Sequence, residues 1–169
     1  VKHISHCFNH NIPVVSGTTG WLDQLSSIEK ECLEKNGSLF YAPNYSIGVN
    51  IVFHINKVLA RLMEKYPGYS LSLQEIHHAQ KLDKPSGTAL ALIKDILTEN
   101  HNFSKWTFAP DNNPDTISVE SIRKGEVPGT HILTYTSEID SITLSHEAKN
   151  RNGFALGAVI AAEFLQNKK

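Results

Sequence analysis

The chain of 169 residues is 40% hydrophobic and carries 16 lysines and arginines against 17 aspartates and glutamates, a formal charge of -1. It is long enough to bury a core, lacks the basic excess of a nucleic-acid binder, and has no apolar run of membrane-spanning length. Its two cysteines, Cys7 and Cys32, are widely spaced and form no paired motif, and no apolar leader is visible, so a reducing, cytoplasmic setting is expected.

His3, His6, Cys7 and His10 recur at a spacing that would place several metal-ligand types near one helical face. A structural metal site needs a more closed ligand set and a supporting shell, so residues 1 to 10 are predicted to be a surface helix with no metal. Ile12 to Ser16 is a short apolar strand. Gly17-Thr18-Thr19-Gly20 then turns the chain at its C-terminal end, where open α/β sheets bind ligands. Leu22, Leu25, Ile28, Cys32 and Leu33 form an amphipathic stripe on a helix from about residue 22 to 35, stopped by Asn36-Gly37. A second short strand over 38 to 42 runs into Ala42-Pro43-Asn44-Tyr45. Two consecutive strand ends of this kind predict part of a doubly wound sheet. A long helix follows from Ser46 to Tyr66, ended by Pro67-Gly68, with Ile51, Val52, Ile55, Val58, Leu59, Leu62 and Tyr66 predicted on its buried face.

The stretch from Glu75 to Leu90 is the richest in chemistry. Before it, Tyr69 to Leu73 alternates polar and apolar side chains as a half-buried strand does; after it, Ala89, Leu92, Ile93, Ile96 and Leu97 repeat at helical spacing. Ser86, following Pro85, is a candidate N-cap, which puts the free N–H groups of the helix start near Gly87 and Thr88, a ready anion site. His77, His78 and Lys81, predicted on the loop before that helix, add proton donors and a fixed cation. Taken singly, such residues are ordinary surface histidines or a turn leading into a helix. Together, on a strand end, loop and helix start, they predict a site for a small carboxylate or phosphate undergoing proton transfer. Glu75 and Asp83 either orient the histidines and Lys81 or are simply solvated.

Residues 100 to 115, rich in Asn, Asp and Pro, are predicted to be loop, with Trp106 and Phe108 as packing anchors. Strands over 116 to 123, 130 to 137 and 141 to 148 are predicted to form an antiparallel meander. With the strand from Tyr69 they would make a four-stranded mixed sheet, covered on one face by the helices beginning at Ser46 and Ser86. Residues 153 to 166 form an apolar, alanine-rich helix suited to packing on a sheet.

The His77-His78 pair, Lys81 three residues later and Pro85-Ser86-Gly87-Thr88 resemble the signature of the dihydrodipicolinate reductases. The resemblance extends to Ser16-Gly17-Thr18-Thr19-Gly20-Trp21, to the run from Ala42 to Asn50, to Ser121-Ile122-Arg123-Lys124-Gly125 with Val127-Pro128-Gly129, and to the run from His146 to Ala162. It implies an α/β fold: the C-terminal part of a Rossmann-like parallel sheet over residues 1 to 45, an α+β substrate and oligomerisation domain over 46 to 150, and a helix over 151 to 169 returning to the nucleotide domain. It also implies reduction of a cyclic imine-type dicarboxylate by NADH or NADPH, on the diaminopimelate route to lysine. The resemblance gives His77 the role of general acid and Lys81 that of second proton donor or charge stabiliser. His78, Gly87 and Thr88 would bind a substrate carboxylate. Gly17, Thr18, Thr19, Ala42, Pro43, Asn44 and Tyr45 would contact the cofactor, with Arg151 and Phe154 approaching it from the other side. A homotetramer built through the substrate-domain sheet is implied as well. The sequence contains no G-x-G-x-x-G turn, so residue 1 is expected to fall inside the nucleotide domain, after the pyrophosphate turn and the residue that selects between the cofactors. The alternatives are a two-domain reductase acting on a different substrate, against which the Lys81-to-Pro85-Ser86-Gly87-Thr88 spacing argues, and a dicarboxylate-binding module without catalysis.

Overall fold

The computed structural model describes residues 1 to 166 and residue 168. The elements in chain order are α1 (Lys2–Asn9), β1 (Val14–Ser16), a 3-10 turn (Leu22–Gln24), α2 (Leu25–Glu34), β2 (Leu39–Tyr41), α3 (Ile47–Met63), β3 (Ser70–His77), α4 (Gly87–Glu99), β4 (Lys105–Phe108), β5 (Thr116–Arg123), β6 (Gly129–Thr136), β7 (Ser141–Ala148) and α5 (Asn152–Leu165). They fall into two compact units, one made of Val1–Ile47 and the chain from Asn152 onward, the other of Gly48–Arg151. Among the described residues no helix is long and apolar enough to cross a membrane.

In the first unit β1 and β2 pair in parallel from Val14 with Leu39 to Ser16 with Tyr41. Ile4, Phe8, Trp21 and Ile28 are buried together, with Val14, Leu25, Cys32 and Leu39 packed around them. On α1, Ile4 and Phe8 therefore face inward while His3, His6 and His10 are exposed, as a surface helix requires. Asn36 adopts the left-handed conformation with φ 47°, one that asparagine tolerates better than most residues, and so ends α2. Gly37 after it lies against the Phe8 ring, where a Cβ would come within 2.7 Å of the ring. α5 packs on both strands, and Phe164 meets Phe40 edge-on at 6.3 Å between centroids. Gly157 of α5 abuts the backbone carbonyl of Tyr45, leaving no room for a side chain; this close approach fastens the loop after β2 to the helix.

The second unit is built on a five-stranded mixed sheet in the order β4-β5-β3-β6-β7, one strand more than the sequence predicts. The added strand, β4, lies inside the tract predicted to be loop and pairs in parallel with β5. Its Trp106 and Phe108 stack edge to face at 5.4 Å, while Asp111 and Asp115 accept hydrogen bonds from Thr107 and Ser104 that close the turn after it. The predicted meander is also corrected. β5 does not pair with β6; β3 lies between them, parallel to β5 and antiparallel to β6. Strand order depends on nonlocal pairing, here a parallel crossover through α4, which local sequence pattern does not encode.

The face of α3 differs from prediction too. Ile51, Ile55, Val58, Leu62 and Tyr66 are exposed, Val52 and Leu59 half-buried, and the buried positions are Val49, Asn56, Ala60 and Met63. Asn56 donates from Nδ2 to the Leu92 carbonyl of α4 at 3.1 Å, and fully buried Ala60 allows a close helix approach. A pattern of apolar residues alone assigns such an asparagine to the outside.

The inner face of the sheet changes character along its length. Leu71 and Leu73 of β3, Ile117 and Val119 of β5, and Leu133 and Tyr135 of β6 join Leu92, Ile93 and Ile96 of α4 in the core. Two residues further on, the same face turns polar: Glu75 is in register with Ser121 and His131, and His77 with Arg123.

Candidate functional site

β3 continues to His77, so Glu75 and His77 stand on the rigid strand and not on the loop after it. Because side chains alternate along a strand, both point to the face occupied by the core, where Glu75 is 0% and His77 7% exposed. Glu75 Oε2 pairs with His77 Nδ1, and Glu75 Oε1 accepts from Arg123 Nη2 at 2.8 Å. Burial would raise the Glu75 pKa, yet the hydrogen bonds from His77 and Arg123 outweigh it and hold the carboxyl at about 2. Arg123 also donates to the Lys81 carbonyl at 3.2 Å and the Asp83 carbonyl at 2.5 Å. One guanidinium thus connects the buried carboxylate to the loop that carries Lys81.

Across the sheet, His131 packs edge-on to His77, with ring centroids 5.1 Å apart. Ser86 caps α4 as predicted, its Oγ accepting the Ala89 N–H at 3.2 Å. Its hydroxyl proton can then be donated to His131 Nε2, 3.1 Å away, which leaves His131 neutral and its buried Nδ1 without a partner. Burial, reinforced by nearby His77, lowers the His131 pKa to about 3. Above pH of about 6.5 both folded and unfolded chains carry a neutral ring. As the pH falls below that, the unfolded chain binds a proton that the folded chain refuses, and stability drops by about 1.4 kcal/mol per pH unit until the folded pKa is reached. Glu75, whose depressed pKa costs stability only below its ordinary value of about 4.5, acts in a lower window. Urea unfolding between pH of about 6.5 and 4.5 is therefore expected to reveal a loss on the order of 2 to 3 kcal/mol that a His131→Gln variant lacks; an equal loss in the variant contradicts this account.

The donor atoms of Glu75, His77 and His131 lie within 4.8 Å of one another. Both Glu75 oxygens and His77 Nδ1 are already engaged with each other and with Arg123, so Arg123, Glu75 and His77 form one hydrogen-bonded chain, against which His131 packs without joining it.

The predicted site residues separate into groups. Lys81 Nζ lies 2.7 Å from Asp83 Oδ1, and hydrogen bonding to Lys81, opposed by slight burial, lowers the Asp83 pKa; the Gly87 backbone adds to the lowering. Asp83 is therefore the partner of Lys81, and Glu75 that of His77. Gly87 and Thr88 open α4 immediately after Ser86, and a Cβ at Gly87 would meet nothing within 4 Å. His78, just past the end of β3, lines an open depression of about 520 Å³, whose walls include Gln80, Glu126, Pro128, Lys149 and Arg151. Arg151 Nη2 comes to 3.4 Å from His78 Nε2. The basin brings His78, Lys149 and Arg151 together with Glu126; Lys81, Gly87 and Thr88 do not line it.

In the first unit, exposed Gly17, Thr18 and Thr19 follow β1, and Ala42, Pro43, Asn44 and Tyr45 follow β2, at the C-terminal ends of adjacent parallel strands. That position and the open glycine backbone suit one end of a dinucleotide. The Tyr45 hydroxyl donates toward the carbonyls of Ser16 at 2.9 Å and Phe40 at 3.1 Å, and Asn44 Oδ1 accepts the Ser46 N–H at 2.9 Å. These two side chains brace the loops. Phe154 lies in the first turn of α5.

Sequence reasoning does not single out Arg123 and His131 as site residues. The signal is present as phase: in β5 and β6, Arg123 and His131 occupy the alternate positions that carry core side chains further along.

The fold and the site define a mixed-sheet α/β protein that sets a buried carboxylate–histidine pair beside a capped helix start. A family model described as dihydrodipicolinate reductase, C-terminus, matches residues 48–169. A 4-hydroxy-tetrahydrodipicolinate reductase of Christiangramia forsetii is 48% identical over 167 residues, 99% of this chain and 70% of that protein. One of Neisseria gonorrhoeae is 33% identical over 175 residues, 99% of this chain and 64% of that protein. A solved structure, dipicolinate-bound dihydrodipicolinate reductase from Paenisporosarcina sp. TG-14, has the same fold with a TM-score of 0.75 at 23% identity, covering 97% of this chain and 63% of that one. The chain belongs to the dihydrodipicolinate reductase family, a family of enzymes, and spans about two thirds of the length of these relatives.

Proposed function

We propose that the chain is the substrate-holding portion of a 4-hydroxy-tetrahydrodipicolinate reductase, acting in the diaminopimelate route to lysine. The observation that carries this reading is His77: a buried histidine whose Nδ1 is held by an ionised carboxylate, set on a rigid strand beside a helix start and a cationic basin. His78 and Arg151 hold one carboxylate of a small cyclic substrate, and the helix start at Gly87 and Thr88 lies against the other. Gly17, Thr18, Thr19 and the loop from Ala42 to Tyr45 hold the nicotinamide end of NADH or NADPH, which when bound supplies a hydride. Hydride addition to a ring carbon leaves an electron pair on the conjugated system, and His77 quenches it by giving up a ring proton. Lys81, tethered by Asp83, offsets the negative charge that develops and serves as second proton donor. The outer face of the sheet, away from α3 and α4, is the surface for self-association into a tetramer in the cytoplasm.

The test is oxidation of NADH and of NADPH with freshly generated substrate. Turnover with at least one nucleotide is expected. Saturable binding of the substrate's aromatic analogue, pyridine-2,6-dicarboxylate, with no oxidation of either nucleotide would replace this reading with that of a non-catalytic dicarboxylate-binding module.

A further inference from the structure

A general acid needs a defined nitrogen to carry its proton and a ring that does not turn, and the surroundings of His77 supply both. Nδ1 is bonded to Glu75 Oε2, two residues earlier on the same face of β3. Nε2 faces Gly129 at the start of β6, where a Cβ would stand 3.0 Å from it; the lack of a side chain there leaves this nitrogen clear, and the preceding residue, Pro128, lines the basin. Glu75 has no exposure of its own. Its second oxygen is taken by Arg123, whose side chain is 8% exposed and whose remaining N–H groups reach the carbonyls of Lys81, Asp83 and Ile122. An ionised carboxylate can only accept, so the proton between Glu75 and His77 belongs to Nδ1.

We propose that Glu75, steered by Arg123, is the positioning residue of His77: it holds the Nδ1–H form of the ring and so makes Nε2 the atom that passes the proton to the substrate. The inference rests on the acid role given to His77 above. In the reaction the Nε2–H bond breaks and a C–H bond forms on the substrate, leaving a neutral ring that still carries its Nδ1 proton. Arg123 connects this ring to the Lys81 loop, so both proton donors are set by one guanidinium.

The experiment is nitrogen-15 NMR of the histidine side chains at about pH 9, where an imidazole of ordinary pKa is neutral, with His77 assigned by its loss in a His77→Gln chain. His77 is expected to be protonated at Nδ1 and bare at Nε2. Glu75→Gln, which offers an amide where the carboxylate stood, is expected to shift the population to Nε2–H, and Glu75→Asp to restore part of the Nδ1–H form. In the active reductase, Glu75→Gln is expected to lower kcat about 100-fold, with KM held within about threefold. A role confined to packing would leave the tautomer unchanged. An Nε2–H ring in the wild-type chain, or an Nδ1–H ring that persists in Glu75→Gln, overturns the proposal. Should the Glu75→Gln chain not fold, the wild-type spectrum still decides. The NMR measurement needs no turnover, so a locked Nδ1–H ring in a chain without reductase activity would count against the function proposed above and not against this relay.

Discussion

Replacing His77 by alanine is expected to lower kcat of the reductase by about 10² to 10⁴, the usual share of a positioned proton donor, while KM changes by less than about threefold. The asymmetry follows from where the side chain sits. His77 is 7% exposed and bonded to Glu75, whereas the groups that face an open basin and can hold a carboxylate are His78, Lys149 and Arg151. Under the proposed function, removing His77 removes an interaction that matters as the proton moves and is expected to leave substrate binding largely intact. Lys81→Ala is expected to show the same sign with a smaller loss, because its ammonium balances charge beside Asp83. Steady-state kinetics separate the possibilities. Weaker binding with unchanged turnover would make His77 a binding residue and contradict the assignment.

Replacing Arg123 by alanine is expected to destabilise the fold by roughly 3–5 kcal/mol, the cost of stranding a buried charge whose partner is removed. Against a typical domain stability of about 5–15 kcal/mol this leaves the second unit close to unfolding. The loss is not confined to one ion pair, since Arg123 also satisfies the carbonyls of Lys81 and Asp83. The mechanism can be isolated with Glu75→Gln, which removes the stranded charge. Arg123→Ala should then cost distinctly less in the Glu75→Gln background, and urea titration of the four chains of this cycle measures the difference. Strictly additive costs would show that Arg123 stabilises the fold without regard to Glu75.

Where local periodicity decides structure, the sequence can be read directly. α4 begins after Ser86 because the serine caps it, and β5, β6 and β7 lie close to their predicted spans. The α3 face escapes such a reading because Asn56, a polar residue with a carbonyl to bond across the helix pair, looks like a residue of the solvent side. β3 runs further than its pattern suggests for a related reason. Glu75 and His77 hold the alternate positions that should be apolar on a half-buried strand, so their polarity resembles the start of a loop. On the same face, Arg123 and His131 complete the set, and only the register of β3 between β5 and β6 brings the four together. β4 is hidden by the turn residues that follow it. The placement of β3 between β5 and β6 depends on long-range pairing, which the spacing of residues along one strand does not report.

Substrate recognition, as proposed, depends on carboxylate contacts at His78 and Arg151 and at the start of α4. Titration of the chain with pyridine-2,6-dicarboxylate, followed by backbone amide NMR, tests it most directly. Saturable shifts centred on His78, Lys81, Gly87, Thr88 and Arg151 are the predicted result. No saturation, or shifts centred on the opposite end of the sheet near Gly68 and Ser137, would contradict it.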